Sequence, residues 1–276
     1  MLAVTAYPVA HAAWLSLRRY DLRFPGEGGF AGLANYADVL SSPLWWRDLG
    51  NTVLLTVASV ALELVLGMLL ALLMHRTLVA RRLVRTATLL PYTVITVVAA
   101  LAWRFAFDPV TGFVDPLLSP LLGREVPWLS RPVPSFAAVV VAEVWKTTPF
   151  MALLLLAGLV QVPEELLRAA RVDGAGPWQR FVRVTLPLIR PAILVALLFR
   201  TLDAFRIFDS AFVMTRGSAA TETVSILGYR QLLVRLNLGI GSAVSVLIFL
   251  CTVAIAWVFI RWLGAAPGGD GTEEAG

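Results

Sequence analysis

Eight ionisable side chains stand inside runs that are otherwise apolar: Glu63, Arg104, Glu143, Lys146, Arg200, Asp203, Arg206 and Asp209. A charge at the centre of a membrane helix costs roughly 2.5–3.5 kcal/mol on insertion scales, so such groups must face partners or water rather than lipid. Arg200, Asp203, Arg206 and Asp209 are spaced three apart, as are Glu143 and Lys146. At that spacing opposite charges neighbour one another on one helix face. Two uses of this charge-compensated seam stay open. In one it is a polar wall of a translocation path, trading hydrogen bonds with a hydroxyl-rich cargo while Trp145 or Phe205 stacks on a ring. In the other it pairs helices or subunits and never touches cargo. Arg104 and Asp209 lie towards the ends of their runs and reach the interface. Glu63 has no basic residue three or four positions away. It must find a partner in another element or be protonated, and a structural hydrogen bond is the reading adopted.

The elements that place these charges are transmembrane helices. The 276 residues are 58% hydrophobic and 15% charged, with a mean hydropathy of +0.78, which is a membrane-protein composition. A helix rises about 1.5 Å per residue against about 30 Å of hydrocarbon, so roughly 20 apolar residues span a bilayer. Five segments qualify, near 52–74, 87–107, 136–162, 192–213 and 241–263. Residues 1–17 are apolar but short; without a basic leader or a small-residue cleavage site they read as a first transmembrane helix that begins late. The expected fold is an all-α membrane domain of six helices over 1–263, followed by a Gly/Pro-rich, acidic and disordered tail over 264–276. The connections at 75–86 and 163–190 hold nine basic residues in 40 positions, against nine in 89 for those at 18–51, 108–135 and 214–240. The first pair is therefore cytoplasmic, together with both termini.

The 163–190 connection has its own pattern. Pro163 suits a first helical position, Glu164 and Glu165 sit where the helix dipole favours anions, and Arg168 and Arg171 follow towards the other end. Gly174 stops this helix, since glycine tolerates left-handed geometry. Pro177 starts a second, in which Trp178, Phe181, Val182 and Thr185 share a face and Arg180 and Arg183 are displaced from it. Pro187 and Pro191 close the element.

"RAARVDG", nine residues, then "VTLP" resembles the cytoplasmic signature of binding-protein-dependent ABC importer permeases. Ala169, Ala170, Gly174, Leu186 and Pro187 match it, Val184 replaces an isoleucine, and Arg168 stands where the family has glutamate. "TAYPVAHAAWLSL", "FAGLANY", "NTVLLT" and "LLPYTVITVVAALAW" look like the maltose-type carbohydrate permeases, and "AEVWKTTPFMALLLLAGL" and "LLFRTLDAFRIFDSAFVMTRGS" are most similar to permeases of trehalose importers. The resemblance implies a type I importer transmembrane domain for trehalose or a similar disaccharide in a bacterial plasma membrane. It implies as partners a second permease subunit, two ATPase subunits that hold ATP and Mg, and an extracytoplasmic sugar-binding protein. The 163–190 segment would be the coupling element gripped by an ATPase, carried by Glu165, Arg168, Ala169, Ala170, Asp173, Gly174, Trp178, Phe181, Leu186 and Pro187. The sugar path would run along Glu143, Trp145, Lys146, Arg200, Asp203, Phe205, Arg206 and Asp209. Residues 215–233 resemble the family's external segment and are the candidate contact for the binding protein, while Trp45, Trp46 and Trp128 read as interface anchors.

Other classes fare less well. The sequence has no GxxxxGK[ST] phosphate loop, and Lys146 is its one lysine. The chain is expected to bind no cofactor and to hydrolyse no ATP itself. His11 and His75 are far apart and Cys251 is alone, which offers no metal set. The arginines are spread between apolar runs rather than gathered on one face, as nucleic-acid binding would require. A proton-coupled secondary sugar carrier is the alternative, weakened by the lack of an internal repeat. A membrane enzyme would need a nucleophile, base and ligand constellation, and none is evident.

Overall fold

A computed structural model of the chain describes residues 2–24, 26, 28–76, 81–218 and 220–264. The expected tail beyond residue 264 lies outside them. The order is α1 (Leu2–Ser16), β1 (Arg18–Arg19), β2 (Gly29–Phe30), α2 (Ala34–Ser41), α3 (Pro43–Arg76), α4 (Arg81–Thr93), α5 (Thr96–Ala106), α6 (Val114–Leu122), α7 (Pro132–Val160), α8 (Glu164–Val172), α9 (Pro177–Arg180), α10 (Leu186–Leu188), α11 (Arg190–Phe205), α12 (Asp209–Thr215), α13 (Val224–Tyr229) and α14 (Leu238–Gly264). Single π-helical turns occupy Phe181–Thr185 and Arg230–Val234.

The helices α3, α7 and α14 are each long and apolar enough to cross a membrane. Two bent pairs do so only together: Thr86–Thr93 with Thr96–Ala106, bent by 93°, and Pro177–Leu188 with Arg190–Phe205, bent by 68°. Both depart from the straight spans expected near 87–107 and 192–213. In the first, Pro91 removes an N–H and crowds the preceding turn, and the β-branched run Thr93–Val94–Ile95–Thr96 follows it. In the second, Pro187 and Pro191 flank the corner at Ile189. The span expected to reach residue 213 also stops at Phe205 and resumes at Asp209. The Ile207 carbonyl freed there accepts the Thr223 hydroxyl at 3.1 Å.

The chain groups into two compact units, one of residues 1–57, 96–142 and 204–254, the other of 58–95, 143–203 and 255–276. In the first unit β1 and β2 pair antiparallel. Buried Asn35 ties them down, its amide donating to the carbonyls of Ser16 at 2.8 Å and Arg18 at 2.9 Å. Val39, Trp45, Val224, Leu227, Ala243 and Val244 form a core there. Trp45, expected as an interface anchor, is thus a core side chain at 2% exposure. Trp46 is exposed and donates to the Leu40 carbonyl, and Trp128 donates to Asp115 Oδ1 at 3.1 Å. The 215–233 stretch is no open loop, because Val224, Ile226, Leu227 and Gly228 of α13 are buried. In the second unit α7 packs tightly on α11: a Cβ added at Gly158 would stand 2.5 Å from that of Ala192.

Candidate functional site

The expected helix–glycine–helix element is present. Pro163 is extended (ψ 125°), so it precedes the helix and Glu164 opens it. At the other end the Ala175 amide donates to the Ala170 carbonyl at 2.9 Å and the Gly174 amide to that of Arg171 at 3.1 Å. With Gly174 at φ +82°, this is a Schellman ending, which uses a left-handed residue to satisfy the last carbonyls. Gly176 then caps the next helix: its amide donates to Gln179 Oε1 at 3.0 Å, and Pro177 takes the first helical position. None of the nine residues of α8, all of them described, is buried. Glu165, Arg168, Ala169 and Asp173 are exposed, and Arg168 reaches Glu164 at 3.9 Å. Leu166 and Val172 are apolar and exposed at 46% and 88%. Leu167 and Ala170 are half-buried, while the opposite face of this amphipathic helix stays open to a partner.

The second helix departs from the expected face. Trp178 and Val182 are exposed, Phe181 and Arg180 are half-buried, and Thr185 is buried. Pro187 has no N–H and clashes with a carbonyl one turn back, and the π turn at Phe181–Thr185 lies just before it. Thr185 lies buried at the end of that turn, while Trp178 and Val182 are on the exposed side. Leu186 is half-buried and Pro187 exposed.

Three of the intramembrane carboxylates, Glu63, Glu143 and Asp203, gather around Arg200. The Arg200 guanidinium is 1% exposed and forks onto Glu63, Nε donating to Oε2 at 2.6 Å and Nη2 to Oε1 at 2.9 Å. Thr147 Oγ1 accepts from Nη2 at 3.1 Å and lies 2.7 Å from Glu63 Oε1. Glu143 Oε1 stands 3.6 Å from Nη2, and Nη1 pairs with Asp203. Glu63 therefore finds the partner in another element that its sequence surroundings lack. The continuous four-charge seam does not form. Its first two members, Arg200 and Asp203, share α11, but the helix ends at Phe205, leaving Arg206 exposed beyond it and Asp209 in the first turn of α12. The Lys146 ammonium sits 5.4 Å from the Tyr92 ring centroid, a cation–π distance, and Tyr92 stacks on Phe150. Phe205, expected to stack on cargo, is buried at 3% exposure, whereas Trp145 is exposed at 41% and the Asp203 side chain at 71%. Arg104 donates to the Val213 carbonyl at 3.2 Å.

Sequence reasoning missed two features. Thr147, the hub between Glu63 and Arg200, reads in sequence as an ordinary helical threonine; its i+4 spacing from Glu143 was the available signal. In the first unit, buried Glu222 accepts from Arg47 at 3.0 Å and from Arg230 at 2.6 Å, and Asn51 donates to its carbonyl at 3.0 Å. Arg47 and Asn51 are four apart on α3, but no helical spacing links them to Glu222.

Long apolar helices, two bent helix pairs and a buried ion cluster are the features of a membrane-spanning domain. Residues 63–266 match the family of binding-protein-dependent transport system inner membrane components, and the chain belongs to it. It is a transport component rather than an enzyme. It is 56% identical to the trehalose transport system permease protein SugA of Mycobacterium tuberculosis, over 98% of this chain and 87% of that protein. It is 40% identical to the trehalose/maltose transport system permease protein MalF of Thermococcus litoralis, over 95% and 88%. Among solved structures it is similar to a bacterial ABC transporter involved in the import of alginate, with a TM-score of 0.82 at 22% identity over 97% and 92% of the two chains. A bacterial alginate ABC transporter in complex with a pentasaccharide-bound periplasmic protein gives 0.74 at 25% identity, over 83% and 82%. The fold is that of an ABC importer transmembrane domain.

Proposed function

We propose that this chain is the pore-forming subunit of an ATP-driven importer for trehalose or a similar disaccharide. In this reading α8, the Gly174 reversal and α9 dock on a separate ATPase subunit that carries ATP and Mg. The observation that supports it most is α8, a nine-residue amphipathic helix with no buried residue, held at a fixed angle by the Schellman ending. A closing ATPase would move that rigid hook, and the bend at Ile189 would pass the motion to α11. The full assembly would contain a second permease, two ATPase subunits and an extracytoplasmic binding protein, with both termini of this chain cytoplasmic. The relatives' names support the cargo. Within the membrane, Arg200, Glu63 and Glu143 are occupied with one another and set the helix spacing. Asp203 and Trp145 keep exposed faces and are the residues fitted to meet sugar hydroxyls and a pyranose ring.

Reconstitution tests this. Labelled trehalose should enter proteoliposomes only when this chain, the second permease, the ATPase and the binding protein are present with ATP. Uptake by this chain alone under a proton gradient would overturn the reading in favour of a secondary carrier.

A further inference from the structure

Two cavities adjoin at the elbow between α3 and α9. One, of about 230 Å³, has His75, Arg171, Arg180 and Thr185 on its walls. The other, of about 620 Å³, is an apolar groove along Leu64, Met68, Leu69, Trp178, Leu186 and Ile193. Leu72, Pro177 and Phe181 line both, so a cationic chamber opens beside a hydrocarbon-lined groove. Arg180 marks the chamber as unfinished. Its Nε is buried and has no hydrogen-bond partner, an arrangement proteins avoid because the desolvated donor is left unpaid. Among the described residues lining the chamber there is no carboxylate to answer its two guanidinium groups.

We propose that the elbow binds an anionic phospholipid, its phosphate held by Arg171 and Arg180 and one acyl chain laid in the groove. Charge complementarity selects this occupant: a phosphate oxygen supplies the acceptor that Arg180 Nε lacks, and guanidinium forks match phosphate geometry. A zwitterionic headgroup would bring a further cation into a chamber that already holds two. The groove needs a chain of methylenes, which a soluble phosphate does not have. Trp178, exposed at 73% on the groove wall, is the residue type that settles at headgroup level, and basic pockets at the cytoplasmic ends of membrane helices suit anionic lipid. Such a lipid would tie α3, which carries His75 and Leu72, to α8 and α9. The site requires only that the chain be membrane-embedded; because Trp178 and Phe181 on its walls also belong to the proposed docking element, binding is measured on this chain without an ATPase.

The test is native mass spectrometry of the delipidated full chain titrated with phosphatidylglycerol, phosphatidylcholine or inorganic phosphate. The chain should retain phosphatidylglycerol in preference to phosphatidylcholine. The Arg171→Gln/Arg180→Gln double variant should bind it about thirtyfold more weakly, while the charge-preserving Arg171→Lys/Arg180→Lys pair keeps the preference and shows that the segment is still folded. Equal retention of the two lipids, or unchanged binding by the glutamine pair, would overturn the proposal. So would displacement of phosphatidylglycerol by excess inorganic phosphate, which would assign the chamber to a soluble anion.

Discussion

Arg200 stands among three carboxylates, Glu63, Glu143 and Asp203, in surroundings that leave it 1% exposed. Breaking a buried pair from one side costs about 3–5 kcal/mol, because the remaining charge has nowhere to go. The loss should therefore be unequal. Arg200→Gln strands two buried acids and should lower unfolding stability in detergent by about that amount, whereas Glu63→Gln leaves Glu143 and Asp203 to answer the guanidinium and should cost less. Equal losses would show that Arg200 is not the hub. A solvent-facing pair behaves differently. Arg23 Nε and Nη2 donate to Asp21 at 2.9 and 2.6 Å, and these hydrogen bonds hold that carboxyl down to about 2. A depressed folded value means that the pair's contribution is present above the ordinary aspartate range and is lost as pH falls towards 2. Carboxyl NMR titration should show the low midpoint, and Arg23→Ala should return it to the usual range.

At the scale of elements, the chain turns where prolines and left-handed residues sit. Gly174 at φ +82° has open space around the position of a missing Cβ, so Gly174→Ala would meet backbone strain alone, about 1–2 kcal/mol. Gly123, which ends α6 at φ +66° with the same open surroundings, is the matched control. Both alanine variants should show a similar modest drop in melting temperature. Only Gly174→Ala should reduce ATP-driven uptake per ATP hydrolysed, since only that reversal aims α8. A parallel loss in both would reduce the effect to stability.

For the whole molecule, the clustering of arginine in two connections predicts its orientation in the bilayer. With Cys251 replaced by alanine, a cysteine at Asp173 should react with impermeant maleimide only from the cytoplasmic side, and one at Val110, exposed at 88% between α5 and α6, only from outside. The opposite pattern would invert the topology and put the proposed coupling element on the side away from an ATPase. What sequence determined here was local: the apolar lengths of α3, α7 and α14, the proline and glycine that build the hook, and the bias of positive charge. Each depends on a few neighbouring residues and on the lipid. Tertiary structure decided the rest. Glu63 meets Arg200 across 137 positions, Trp45 leaves the interface for a core shared with α13 and α14, and the helix breaks at Ile207, whose freed carbonyl accepts the Thr223 hydroxyl. Burying a charge or a carbonyl requires a partner, and which distant residue supplies it is set by how the helices pack.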